Sequence, residues 1–145
     1  MRALTRWHRD ECGSITLWMT GFVVLVLAIG GISVDLWRAQ AERRSLAGAA
    51  DAAAFAGASG IDAVVFRSSG VLQLDPAMAE ALARVDLAGQ DEAGRLTATS
   101  VVATPREVTV TLEGRVDLTL LGLLAPGYDP LPVRVTATAE PRLVP

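Results

Sequence analysis

The residues able to do chemistry are few, and they stand far apart. The only histidine is His8 and the only cysteine is Cys12, four positions later in a short N-terminal arm. One imidazole and one thiol fall short of the three or four ligands that a zinc site needs. A lone cysteine also excludes an intramolecular disulfide, so packing alone must hold the fold. Cys12 sits next to an apolar run, where reversible acylation is conceivable, although no apolar stretch of lipoprotein type precedes it. Hydroxyl side chains are plentiful, but without a histidine base they read as strand residues before nucleophiles. There is no phosphate-cradling glycine pattern, no nucleophile elbow and no carboxylate pair whose spacing implies proximity. Two carboxylates stand out by position only. Asp35 ends an uncharged apolar run, where it reads as a boundary charge with Arg38 three residues on. Asp51 lies inside a block of Ala and Gly, as a solvated charge or as a register-setting group for an Arg on a neighbouring helix. The chain therefore reads as non-enzymatic, with no catalytic site, metal or cofactor and no expected small-molecule substrate.

Composition narrows the class further. The 145 residues carry a net charge of -3, and the 13 basic residues are all Arg and scattered along the chain. Nucleic-acid binding would need clustered positive charge on one face, so it is set aside. Apolar residues make up 51% and aromatics only 5%. That bias favours Ala-rich helix and Val/Thr strand around one small domain of about 80 residues.

The elements that place these residues begin with the apolar run. From Gly13 to Val34 there are 22 residues without a charge, enough helix to cover about 33 Å and cross a bilayer. Trp18 and Trp37 stand about 28 Å apart along such a helix and suit two interfacial anchors. Arg2, Arg6 and Arg9 precede the run, and Arg38, Arg43 and Arg44 follow it. The charge balance is close, and the short first flank tips it towards a cytoplasmic N-terminus with the C-terminal part outside. The alternative is a cleaved signal peptide with Ala39-Gln40-Ala41 as its cleavage site. The run is too long for that, since signal cores span about 7–15 residues, and Asp35, Trp37 and Arg38 occupy the cleavage region.

Strong helix formers continue without proline to Gly60, which predicts one helix running out of the membrane. In this extension Gly48, Ala52 and Ala56 form one row of small residues. Ala49, Ala53 and Gly57 form a second, and Ala50, Ala54 and Ala58 a third. Such rows admit a close helix backbone, and two readings stand level: contact with a partner, or packing on the chain's own domain. The candidate packing interface is Ala49, Ala53, Gly57, Ala50 and Ala54. The candidate membrane boundary is Trp18, Asp35, Trp37 and Arg38, with Asp51 as a possible charge partner.

The remainder predicts a small α+β domain. Asp62 caps a short helix over Ala63–Ser68 that Gly70 ends. Asp75-Pro76 opens a second helix to about Ala88, with Met78, Leu82 and Val85 as its packing face. Leu96–Ala103, Val108–Val116 and Val133–Ala139 read as strands of an antiparallel sheet with one wet face. The short apolar run Leu118–Ala125 is a buried strand and turn or a partner patch. The expected organisation is 1–12 cytoplasmic arm, 13–36 transmembrane helix, 37–60 extension and 61–145 extracytoplasmic domain.

Several of these residues together resemble one family. Gly13-Ser14-Ile15-Thr16, the apolar run, Gly31 to Asp35-Leu36-Trp37-Arg38, Arg43-Arg44-Ser45-Leu46, and Ala50-Asp51-Ala52-Ala53-Ala54 with Ala56-Gly57-Ala58 are similar to the N-terminal region of the TadE/TadG-like family of Flp (tight adherence) pilus assembly. The resemblance covers about a third of the chain and looks closer to the TadG-like branch. It implies a pilin-like architecture, a structural role in a type IV-like pilus or related secretion apparatus, and as partners the lipid bilayer and other pilus-assembly proteins or pilins. Prepilins carry Glu at the fifth position after their cleavage Gly. Here Trp18 stands there, so processing of that kind is not expected. The competing function is a membrane-tethered binding module for a small ligand or the cell wall. Retention of the uncut chain is the first testable consequence: mass spectrometry of the membrane fraction should find no new N-terminus, and one at Ser14 or Glu42 would overturn the anchor reading.

Overall fold

The computed structural model describes residues 11–90, 94–118, 127 and 130–142, with side chains from residue 15 onward. Helix α1 covers Glu11–Ala58, a single 48-residue rod that begins two residues inside the expected arm and ends two residues before the expected Gly60. At its end Ser59 and Gly60 N–H groups donate to Ala56 and Gly57 carbonyls at 3.2 and 3.0 Å, closing the last turn tightly.

Two short helices follow, and their caps were visible in the sequence. Helix α2 covers Ala63–Ser69, and Asp62 Oδ1 accepts from the Val64 and Val65 N–H groups at 2.9 and 3.0 Å. The Val65 hydrogen bond, with smaller help from Val64 and Gln73, outweighs partial desolvation and holds the Asp62 carboxyl below its ordinary value. The charged cap is therefore fully formed at neutral pH. Its contribution fades only as pH falls below the ordinary carboxylate range and through that lowered value. Gly70 ends α2 at φ 71°, a left-handed conformation that glycine adopts without strain. No residue of α2 is buried, so capping and flanking hydrogen bonds hold it in place. Asp62 N–H donates to Gln73, Leu74 N–H to Pro105 and Asp75 N–H to Gly60, each at 2.9 Å. Helix α3 covers Pro76–Ala88, with Asp75 Oδ1 accepting from the Ala77 and Met78 N–H groups and Pro76 in the first turn.

The buried face of α3 is not the expected one. Ala79, Ala83 and Leu87 are buried, while Met78 and Val85 are exposed and Leu82 is half-buried. The reason is distance: around Gly57 and Gly60 the chain lies so close to α3 that only small side chains fit between them. A Cβ on Gly57 would lie 2.9 Å from the Ala79 carbonyl oxygen and 3.2 Å from the Ala83 Cβ. One on Gly60 would lie 2.9 Å from the Ala79 nitrogen.

Three antiparallel strands complete the fold in the order β1-β2-β3: Leu96–Ala103, Val108–Val116 and Leu131–Ala139. Alternation decides which side faces inward. Val108, Val110, Leu112, Gly114 and Val116 are buried, and from β3 Val135 and Ala137 join them. The wet face is a ladder of polar pairs: Thr109 with Thr138, Thr111 with Thr136, and Glu113 with Arg134. Strand β3 starts two residues before the expected Val133, and Pro132 is tolerated because β3 is an edge strand. The core cluster draws on every layer, with Leu46 and Ala53 of α1, Ala79 of α3, Val110 and Leu112 of β2, and Val135 of β3.

Two glycines of the same helix therefore predict opposite responses. Nothing lies within 4 Å of a Cβ on Gly48, whereas one on Gly57 meets backbone. Gly48→Ala should stabilise the fold by about 0.5–1 kcal/mol through helix propensity. Gly57→Ala should lose about 1–3 kcal/mol through overpacking, despite the same propensity gain. Thermal unfolding of the two variants, followed by circular dichroism, checks the signs.

Candidate functional site

The candidate functional surface of this molecule is the long helix, and its exposure changes along its length. From Ile15 to Arg38 the helix turns bulky apolar side chains outward: Phe22 is 66% exposed and Leu27 69%. It is long and apolar enough to cross a bilayer, with a mean hydropathy of 2.2 in its most apolar stretch, none of which is buried in the protein. A soluble core helix with these residues would hide them. Trp18 and Trp37 point outward at 77% and 72% exposure, at positions suited to the two interfaces.

Asp35 behaves differently from its neighbours. It is completely buried, although Val34, Leu36, Trp37 and Arg38 around it are exposed. A simple boundary charge would face water, so the sequence expectation understated its place in the fold. Burying a carboxylate is costly, and proteins accept it only where surrounding groups compensate. A periodic plot of the sequence does hold the signal: Asp35 falls seven residues from Ala28 and from Glu42, on the face that leads to Leu46 and Ala49.

The small-residue rows separate cleanly. Ala49, Ala50, Ala53, Ala54 and Gly57 are all buried, against α3, β2 and β3 of the same chain. Of the two readings left level by the sequence, the contact is intramolecular. These five residues are the seat of the domain, not a surface held open for a partner. The first row, Gly48 and Ala52 with the half-buried Ala56, faces outward beside Asp51 and the 67% exposed Phe55. Asp51 and Phe55 line a hollow with Thr138, Glu140 and Arg142 at the outer edge of β3. Asp51 is exposed and shares this hollow with Arg142 of its own chain's C-terminal segment.

A second hollow lies nearer the apolar half, where Trp37, Arg38, Ala41 and Glu42 face Arg95, Arg115, Val116 and Asp117. Glu42 and Arg95 form an ion pair across it at 3.3 Å. Arg95 is well exposed and Glu42 half-buried at the surface, so the pair is worth about 1 kcal/mol or less. Sequence reasoning missed this contact, because nothing local links positions 53 residues apart. Among the described residues no group of His, Cys, Asp or Glu could hold a metal ion. His8, the Cys12 side chain and most of the Leu118–Ala125 run lie outside the described residues.

Comparison with known families gives one match, and its limits coincide with the helix. Residues 13–60 match the Tad family model, described as putative Flp pilus-assembly TadE/G-like. The match covers about a third of the chain. It stops at Gly60, where α1 turns into the loop before α2, so the matched unit is the apolar rod together with the small-residue seat of the head. No curated protein matches the chain. No solved structure matches it either.

The reassigned seat leads to a prediction about stability. Ala53 is fully buried, so Ala53→Leu should overpack the core and destabilise the fold by about 1–3 kcal/mol. Arg134→Ala removes one exposed cross-strand ion pair with Glu113 and should cost no more than about 1 kcal/mol. Chemical denaturation in matched detergent compares them. An Ala53→Leu variant as stable as the parent would contradict the packing described for this helix.

Proposed function

We propose that this chain is a membrane-anchored structural component of a Flp/Tad-type pilus or a related secretion apparatus. The observation that carries the proposal is the TadE/G-like match over residues 13–60, which falls on a helix with an apolar first half that the protein leaves uncovered. In this reading residues 13–36 cross the cell membrane, with Trp18 and Trp37 at its two faces. The N-terminus is cytoplasmic, and the head is held outside on the extension 37–60. The work is done by shape and contact. A rigid rod continuous from the bilayer into the head transmits the position of one to the other without a hinge, because α1 is unbroken over 48 residues.

The test uses the full chain in its native cells. It should resist alkaline carbonate extraction, and a reporter fused after Pro145 that needs an oxidising exterior should be active. Its removal should abolish piliation, and pilus-assembly proteins should be recovered with it after mild detergent extraction. Release by carbonate would defeat the anchor, an inactive reporter would invert the topology, and normal pili in its absence would defeat the assembly role.

A further inference from the structure

The end of the head nearest the apolar half of the rod is basic. Val108 packs against the Gly57 position and Gly114 against Leu46, so β2 runs back along α1 towards its N-terminus. Leu96 pairs with Gly114 and Leu131 with Val116, so the start of β1, the end of β2 and the start of β3 all lie at that end. Arg95 precedes β1, Arg115 stands near the end of β2, and Arg38, Arg43 and Arg44 occupy the adjoining stretch of α1. These five arginines face three carboxylates, Asp35, Glu42 and Asp117, in a chain whose net charge is -3. Glu113 and Arg134 beside them neutralise each other.

Three of the arginines share one space. Arg38, Arg95 and Arg115 line the hollow beside Trp37, about 470 Å³ in volume, together with Glu42 and Asp117. Glu42 is taken up by Arg95 at 3.3 Å, and Arg115 forms no ion pair among the described residues. Asp117 tempers the charge without cancelling it, because three guanidinium groups meet two carboxylates. The position is as telling as the charge. Trp37 stands where a span over residues 13–36 leaves the hydrocarbon, and the hollow extends from there to Ser45, about 12 Å of helix. The headgroup layer of a bilayer is about 5–8 Å deep on each side. The near half of the hollow therefore lies at the height of lipid phosphates.

We propose that the hollow at Trp37, Arg38 and Arg115 binds the phosphate of an anionic phospholipid in the bilayer that the rod crosses, and so fixes the basic end of the head on the membrane surface. Guanidinium groups suit this ligand, since each can donate two parallel hydrogen bonds to phosphate oxygens. Arg38 comes from the rod and Arg115 from the sheet, so one headgroup held between them ties the two together. The indole of Trp37 belongs at the same depth, with its ring against the acyl boundary and its N–H towards the headgroups. The inference rests on the reading of residues 13–36 as a membrane span and is independent of the pilus assignment.

Fluorescence of Trp37 tests it in the full chain, with Trp7→Phe and Trp18→Phe leaving one reporter. The chain is reconstituted in phosphatidylcholine vesicles containing a minor share of phosphatidylglycerol, and bromine is placed on the acyl chains of either lipid as a short-range quencher. Per molecule of lipid, brominated phosphatidylglycerol should quench about threefold more strongly than brominated phosphatidylcholine. Arg38→Gln with Arg115→Gln should bring the ratio close to one, whereas Arg38→Lys with Arg115→Lys should keep most of it. Arg106→Gln with Arg142→Gln removes the same charge at the far end of the head and should leave the ratio unchanged. Quenching by both lipids without preference, or an equal loss in the two Gln pairs, would overturn the proposal while leaving the span intact. Absence of quenching by either lipid would remove Trp37 from the bilayer and defeat the span together with the site. Inorganic phosphate, compared with chloride at equal ionic strength, should not lower the ratio; if it did, the site would belong to a free anion and not to a headgroup.

Discussion

The close approach of backbones around Gly57 is the contact on which the rest of the head depends. The Ala79 carbonyl, the Ala83 methyl group and a Val108 methyl group all converge on the space a Cβ would need there. One residue without a side chain thus brings a helix and a strand onto α1 together. Once that distance is set, α3 has room only for Ala79 and Ala83 where it faces Gly57, and β2 presents Val108, Val110 and Leu112 to the same core. Close packing of this kind also carries a cost. Small residues bury little apolar area each, so the head relies on many short contacts spread over α1, α3 and the sheet.

The same helix meets two different requirements without a break. In its first half the bulky residues face outward, where a bilayer would solvate them. In its second half the inner face carries small residues apart from Leu46, and the chain's own sheet and helix take the lipid's place. The head is therefore not a separate body strung behind residue 60. Leu46, Ala49, Ala50, Ala53 and Ala54 are part of its core, and the sequence from residue 61 onward would lack one wall without them. A division of the chain at Gly60 describes its chemistry but cuts through its packing.

Local signals made most of the elements legible. Asp62 with Gly70, and Asp75 with Pro76, mark their helices because capping depends on groups two or three residues apart. The strict alternation in Val108–Val116 states which side is wet, and the Thr pairs and Glu113–Arg134 follow from the register. The face of α3 was misread because Met78, Leu82 and Val85 have the right period and the greater hydrophobicity. Period and hydrophobicity describe how much a face gains from burial. They do not describe how near the neighbour stands, and at Ala79 and Ala83 the neighbour is too near for anything larger than Ala.

The candidate site divides along the same line. The sequence by itself determined that α1 is one unbroken rod, that its first half suits a bilayer, and that its second half offers small-residue rows to some backbone. Each of these follows from composition and from spacing within a few residues. Which backbone fills the rows, which row stays open to solvent, and that Asp35 is buried were decided only by tertiary structure. The physical reason is that an Ala-Gly surface is compatible with any close neighbour. The choice depended on the long-range path of β2, which runs back along the helix from Gly57 to Leu46 and carries the rest of the head with it.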